Sequence, residues 1–397
     1  MMHFIYRCSV CNREYKRDEV RYLCPVCSKD YKPGIPLKGV LVVEFDYSYI
    51  RRHFNSRVPD FNLLSTVEKR YFPNYPVGNT PLIRNDRLGA LLGVKNLFIK
   101  FDGLNPTGSL KDRASFLMVS EANRLREERI VCASTGNAAS ALSGVCAAAN
   151  KKAIIFVPKS APRAKLVQIL LYGARIILVD GTYDDAFSMS LRYTKKRGGL
   201  NRNTAYHPLT IEGKKTVALE IVKQMNFKAP DAVLIPVGDG VIISGVYKGF
   251  YDLFMAGIIK KIPELISVQA DSSNAINRFI RTNRYENAEK PSTIADSISV
   301  STPSNAYLAK RAVESSDGDC VDVSDREILN AQRILSSHSG IFAEPAASAS
   351  LAGAIKLRNK MKSYESVVLL VTGNGLKDID TPLKEIRLPE PVGRDWI

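Results

Sequence analysis

The sequence lacks any apolar run approaching the ~18 residues of a membrane-spanning helix, so no membrane insertion is expected. Its first residues, Met1 to Cys8, hold no apolar core followed by a small-residue cleavage site, which argues against a secretory signal. There is no internal repeat and no low-complexity tail. No stretch interleaves aromatics with arginines, as single-strand nucleic-acid binders do. Cysteine is present seven times, an odd count. Without a secretory signal, that count argues against a disulfide framework and for a cytoplasmic setting.

What is present suits a large globular protein. The 397 residues are enough for two domains, and the apolar (45%) and charged (24%) fractions are ordinary. The formal net charge is +16. That charge keeps one reading from another functional class open, a basic zinc-ribbon nucleic-acid-binding protein. Yet the basic residues are spread along the chain. The densest group, Arg192, Lys195, Lys196 and Arg197, runs into Gly198 and Gly199, as a solvated helix end does. A phosphorylated ligand or an acidic substrate would also suit the charge.

Four cysteines form two knuckles, Cys8-x2-Cys11 and Cys24-x2-Cys27, with twelve residues between them. Each knuckle can present two thiolates to one tetrahedral ion. Residues 1–32 are therefore expected to be a zinc ribbon with a closed, structural Zn2+ site. Cys132 and Cys146 lie in apolar segments and read as core thiols.

Beyond residue 33 comes a connection with one strand-like run, Gly39 to Phe45. Strand-like runs then alternate with helical stretches. The strands are expected at 96–101, 130–133, 153–158, 174–180, 232–237, 265–270 and 367–371. They are short, often rich in Val and Ile, and apolar on both faces, the pattern of buried parallel strands in an α/β fold. Helices are expected at 115–128, 161–172 and 214–225 among others.

One stretch organises the chain: Asn105-Pro106-Thr107-Gly108-Ser109-Leu110-Lys111-Asp112-Arg113. It joins the strand ending at Phe101 to the next helix, with Ser109 expected as the N-cap. Lys111 then sits near the positive end of a helix dipole, which favours a neutral amine. A neutral amine can attack a carbonyl carbon. Four more motifs fall at strand ends or in loops, where α/β sheets bind ligands. Ser134-Thr135-Gly136-Asn137-Ala138-Ala139 opens a small-residue helix that could hold a carboxylate. Gly238-Asp239-Gly240-Val241-Ile242 could curl around a phosphate, with the Asp239 side chain turned away or meeting a cation. Glu344-Pro345 precedes another small-residue helix, and Thr372-Gly373-Asn374-Gly375 follows the last strong strand.

In this order, over roughly residues 70–380, these motifs resemble the threonine synthases, a branch of the fold type II enzymes that use pyridoxal 5′-phosphate (PLP). The resemblance implies two doubly wound α/β domains with PLP at their interface, preceded by the zinc ribbon. It assigns 33–114 and 205–397 to a large domain and 115–204 to a small one. The small unit's Ser134 to Ala138 loop would close on the substrate. Lys111 would bear the cofactor, and Asn137 would bond its phenolic oxygen. Gly238, Asp239, Gly240, Val241 and Ile242 would hold its phosphate through backbone N–H groups. Thr372 would meet its pyridine nitrogen. Ser134, Thr135, Gly136, Asn137 and Ala138 would hold the substrate carboxylate.

The reaction that the resemblance implies converts O-phosphohomoserine to threonine and phosphate, in a homodimeric enzyme with a small amino acid substrate and no nucleic acid as partner. The family's stretch Pro-Tyr-Arg-Ile-Glu-Gly-Gln, whose arginine clamps the substrate phosphate, departs here. It reads Pro208-Leu209-Thr210-Ile211-Glu212-Gly213-Lys214. Thr210 takes the arginine's place, and Lys214 is a candidate replacement cation. Ala205 stands for a polar residue. These departures keep other substrates in view: a cysteate synthase-like reaction, another β- or γ-replacing lyase, or a serine/threonine dehydratase.

Overall fold

Two parallel sheets carry most of the strands in this computed structural model, which describes residues 4–391 apart from 33, 162, 385, 387 and 388. Positions 1–3, 33 and 392–397 of the three expected units therefore lie outside the described residues. The larger sheet has six strands in the order Asp319–Val323, Glu264–Ala270, Ala232–Pro236, Ser366–Val371, Asn96–Phe101 and Leu82–Arg84. All its pairs are parallel except the last. The smaller sheet is fully parallel, in the order Arg175–Val179, Lys152–Pro158, Arg129–Ala133 and Leu200–Asn201.

The interior strands are those whose apolar residues face both ways. Val367 to Val371 and Ala232 to Pro236 are buried throughout, because helices cover both faces of the sheet. Three strands of these two sheets were not expected from the sequence. Asp319–Val323 is an edge strand with two aspartates, while Leu82–Arg84 and Leu200–Asn201 have three and two residues. None offers the continuous apolar run that marks a buried strand.

Three helices bring the functional loops together. Lys111–Leu125 carries Lys111 at its first position, Leu209–Gln224 carries Lys214, and Val241–Met255 starts at the Gly238–Ile242 loop. The middle helix is pressed from both sides. A Cβ on Gly213 would lie 2.5 Å from the Arg113 carbonyl oxygen and 2.6 Å from Ala114 Cα. A Cβ on Gly245 would lie 2.8 Å from Lys214 Cβ. Lys111–Leu125 starts four residues earlier than expected and runs unbroken across position 115.

The Cys knuckles belong to a third, antiparallel sheet, Glu14–Tyr15, Phe4–Cys8 and Leu41–Phe45. It extends past residue 32, since Leu41–Phe45 pairs along Phe4–Cys8. Among the described residues no helix is long and apolar enough to cross a membrane.

The close approach at Gly213 gives a stability prediction. Gly213→Ala gains about 1 kcal/mol of helix propensity. The added methyl meets backbone atoms that cannot rotate away, and such overpacking costs about 1–3 kcal/mol. The variant should melt below the wild type in a calorimetric scan. An unchanged or higher Tm would show that the two helices are free to part.

Candidate active site

A cavity of about 480 Å3 opens between the two sheets. It is walled by Lys111, the Ser134–Ala138 and Gly238–Ile242 loops, Arg202 and Lys214, and two further segments described below.

The Lys111 loop is laid along the end of strand Ser366–Val371. Leu110 N–H donates to the Thr372 carbonyl at 2.9 Å, and Asn374 N–H donates to the Gly108 carbonyl at 3.0 Å. The helix is not capped by Ser109. The helix starts at Lys111 with Leu110 at the cap position, and the Ser109 hydroxyl makes no capping bond and is buried without a partner. Asp112 does the local work instead. Its carboxylate accepts the Thr107 N–H at 2.8 Å and also the Thr107 hydroxyl. Burial pushes the Asp112 carboxyl up to about 6.

Lys111 Nζ has no hydrogen bond or ion pair among the described residues. Burial holds its amine below the usual lysine range, and the Arg202 charge adds to that; Glu344 and Asp239 oppose it. Desolvation, more than the helix dipole invoked from the sequence, favours the neutral form.

The Gly238–Ile242 loop turns at Gly240, whose φ of +88° suits glycine. It leads into the first turn of Val241–Met255, where backbone N–H groups have no intrahelical acceptor. Asp239 points away from this turn: its Oδ1 accepts the Ser304 N–H at 2.6 Å.

Asn137 opens helix Asn137–Ala148, and its side-chain nitrogen lies 3.0 and 2.9 Å from the two Glu344 oxygens and 3.1 Å from Ser297 Oγ. Burial raises the Glu344 carboxyl above its ordinary range. Ser134 Oγ accepts the Gly136 N–H at 3.3 Å, shaping the loop between them.

Two expected residues do not line the cavity. Thr210 is fully buried, and its hydroxyl donates to the His207 carbonyl at 2.9 Å and accepts the Ala205 N–H at 3.2 Å. It serves the turn at the start of its helix. Thr372 is 2% exposed, and its carbonyl is used by Leu110.

The sequence reading missed four contributors. Arg202 leaves the edge of the small sheet and enters the cavity; nothing in Leu200-Asn201-Arg202-Asn203 marks it in advance. Glu344 was visible only as a helix-start motif. The Ser- and Thr-rich run Asp296 to Ser304 reads as a solvated loop, yet it forms one wall. The fourth is Tyr31 with Gly34 and Ile35, just past the last knuckle cysteine. The segment is held there by Leu37 N–H donating to the Ser304 carbonyl at 2.9 Å.

The knuckles converge. The sulfurs of Cys8, Cys11, Cys24 and Cys27 all lie within 4.8 Å of one another, and Cys11 and Cys24 are 3.8 Å apart. A tetrahedron of thiolates on zinc, with bonds of about 2.3 Å, has edges of about 3.8 Å. Tyr22, from the loop between the knuckles, accepts the Asn201 N–H at 3.1 Å and stacks on Tyr206 at 4.6 Å. The Cys-bearing unit thus braces the segment that carries Arg202.

The site is that of an α/β enzyme with a half-buried, unpaired lysine sharing a cavity with a backbone turn at a helix N-terminus. Residues 74–373 match the model of the pyridoxal-phosphate dependent enzymes, and the chain belongs to that family. It is 35% identical to the threonine synthase of Methanocaldococcus jannaschii, over 98% of this chain and 96% of that one. To the threonine synthase of Bacillus sp. it is 37% identical, over 84% and 90%. Among solved structures, an L-serine ammonia-lyase from Rhizomucor miehei superimposes with a TM-score of 0.67 at 26% identity, over 78% of this chain and 98% of that chain.

His207, beside the Arg202 segment, gives a pH prediction. It is 2% exposed, and its Nδ1 accepts the Leu209 N–H at 3.2 Å, which requires a neutral ring. Burial, aided by the Arg21 charge, lowers it from 6.5 to about 3. The unfolded chain then binds this proton before the folded one does. Stability from His207 is fully present above about 6.5 and is lost as pH falls toward about 3. His207→Asn can still accept the Leu209 N–H but cannot titrate. Its Tm should fall less than the wild type's between pH 7 and pH ~4.5, a window set by the two pKa values. Equal falls would mean that His207 is protonated in the fold.

Proposed function

We propose that the protein is a threonine synthase, converting O-phosphohomoserine and water to threonine and inorganic phosphate. The observation that carries this reading is the unpaired, half-buried Lys111 lining one cavity with the Gly238–Ile242 cradle, in a chain 35% identical to a threonine synthase along nearly its whole length.

The residues present fit PLP. The Gly240 turn and the first N–H groups of Val241–Met255 suit its phosphate. Lys111 suits covalent attachment, and the Asn137 side chain lies within the same cavity. When bound, PLP supplies the electron sink for negative charge next to the amino group. The chain's own groups do the rest. Lys111 Nζ takes the proton from Cα and moves protons at Cβ. The Ser134–Ala138 loop holds the α-carboxylate. Glu344 fixes the Asn137 amide. Tyr31, Gly34 and Ile35, with Asp296 to Thr302 and Ser304, wall the cavity and limit water. Thr372, outside the lining, supports the Lys111 loop through its carbonyl.

The four thiols suit one structural Zn2+, with no position left for substrate. Its place in the reaction is indirect, through the bracing of the Arg202 segment.

Two measurements test this reading. Purified enzyme given O-phosphohomoserine should release threonine and phosphate in equal amounts, and Lys111→Ala should lower the rate by about 100- to 10,000-fold. Keto-acid release in place of threonine would move the protein to the dehydratases. Metal analysis should find one zinc per chain, absent from Cys8→Ser, which keeps its PLP. Zinc-free wild type, or a folded Cys8→Ser variant that cannot take up PLP, would contradict the structural assignment.

A further inference from the structure

Two cations in the cavity have no partner to neutralise them. Arg202 is 1% exposed; its Nε donates to Ser115 Oγ at 3.3 Å, and its Nη2 is buried with no acceptor. Lys214 is 3% exposed, and among the described residues its Nζ has neither a hydrogen bond nor an ion pair. Burial and the neighbouring Arg202 and Lys111 charges hold the Lys214 amine well below its usual range. Asp239 is the carboxylate that acts on Lys214. One of its oxygens is used by the Ser304 N–H and the other has no partner.

Buried charges without partners are costly, and a chain seldom keeps two side by side unless a ligand completes them. An anion bound beside Arg202 would supply the missing counter-charge and favour the protonated form of Lys214, leaving two cations against it and the one carboxylate. The cofactor's phosphate already has a cradle in the Gly238–Ile242 turn, and Lys111 is taken by the cofactor itself. Thr210 cannot contribute, because both roles of its hydroxyl are filled within the turn. The remaining excess faces the open part of the cavity, where the substrate side chain must lie. A guanidinium offers a planar fork that fits a phosphate, and an ammonium adds a point charge.

We propose that Arg202 and Lys214 form the clamp for an anionic leaving group on the substrate side chain, of the phosphate class. The clamp reaches the site from the edge of the small sheet and from the helix Leu209–Gln224, and not from position 210. This deepens the functional reading above and rests on the cavity being the PLP site.

The test uses PLP-loaded enzyme and two independent readouts. The first is calorimetric titration with inorganic phosphate. Wild type should bind it saturably, and Arg202→Gln and Lys214→Gln should each bind it about 10- to 100-fold more weakly, with PLP content per chain unchanged. Lys214→Gln guards against a misfolded Arg202 variant. The second readout is turnover of O-phosphohomoserine, for which both variants should lose kcat/KM chiefly through KM. Phosphate binding equal to wild type in both variants would overturn the clamp. So would loss of PLP from Arg202→Gln, which would place Arg202 on the cofactor's phosphate. The two readings can fail separately. Wild type that binds phosphate through Arg202 yet makes no threonine supports the clamp and removes the threonine synthase assignment. Wild type that makes threonine as fast as Arg202→Gln does removes the clamp and keeps the assignment.

Discussion

The Arg113 guanidinium is the tie on which the site depends. It holds Asp102 through Nε at 2.6 Å and Nη2 at 2.9 Å, and Glu220 through Nη1 at 2.7 Å and Nη2 at 2.8 Å. Glu220 also accepts from Lys100 at 2.7 Å, and Lys100 reaches the Thr80 carbonyl at 2.7 Å. These contacts join the end of strand Asn96–Phe101, the start of the Lys111 helix and the helix that carries Lys214. A buried ion pair is often no better than packed apolar side chains. Here the network is fully bonded and fixes the direction in which three elements leave the sheet. Removing any partner would strand a charge in the interior, so the arrangement has few alternatives.

Two residues before Arg113, the opposite treatment of charge begins. Arg202 and Lys214 are also buried and Lys111 is half-buried, but these three lack the bonds that Arg113 and Lys100 have. The contrast separates structure from function within one helix turn. Paired basic groups hold the frame, and unpaired ones await ligands. Close packing at Gly213 and Gly245 holds helix Leu209–Gln224 against the helices on either side of it. The same packing lets loops from both sheets face one cavity at the carboxyl ends of their strands, where α/β folds bind ligands.

The sequence made the interior of this fold legible because burial on both faces leaves an unbroken apolar run. Asn96–Phe101 is found where expected, and six other strands match within about one residue at either end. Edges were harder. Asp319–Val323 is interrupted by two aspartates, and Leu200–Asn201 is too short to show any period. At the site, loops with glycine beside a strand end were visible because their chemistry is local. Arg202 was not, since a buried arginine looks like a solvated one until its surroundings are known. Thr210 shows the reverse error: a position matched by alignment says nothing of where its side chain is spent. Ser109 is not the cap, because the helix starts at Lys111 and leaves Leu110 at that position.

The account's central claim is that Lys111, and not Lys214 of the same cavity, is the amine that takes the cofactor. The most direct measurement is borohydride reduction of the PLP-loaded protein, followed by peptide mass mapping. The account predicts a reduced pyridoxyl group on the peptide containing Lys111, with Lys214 unmodified. A pyridoxyl group on Lys214, or on a lysine outside the cavity, would contradict it.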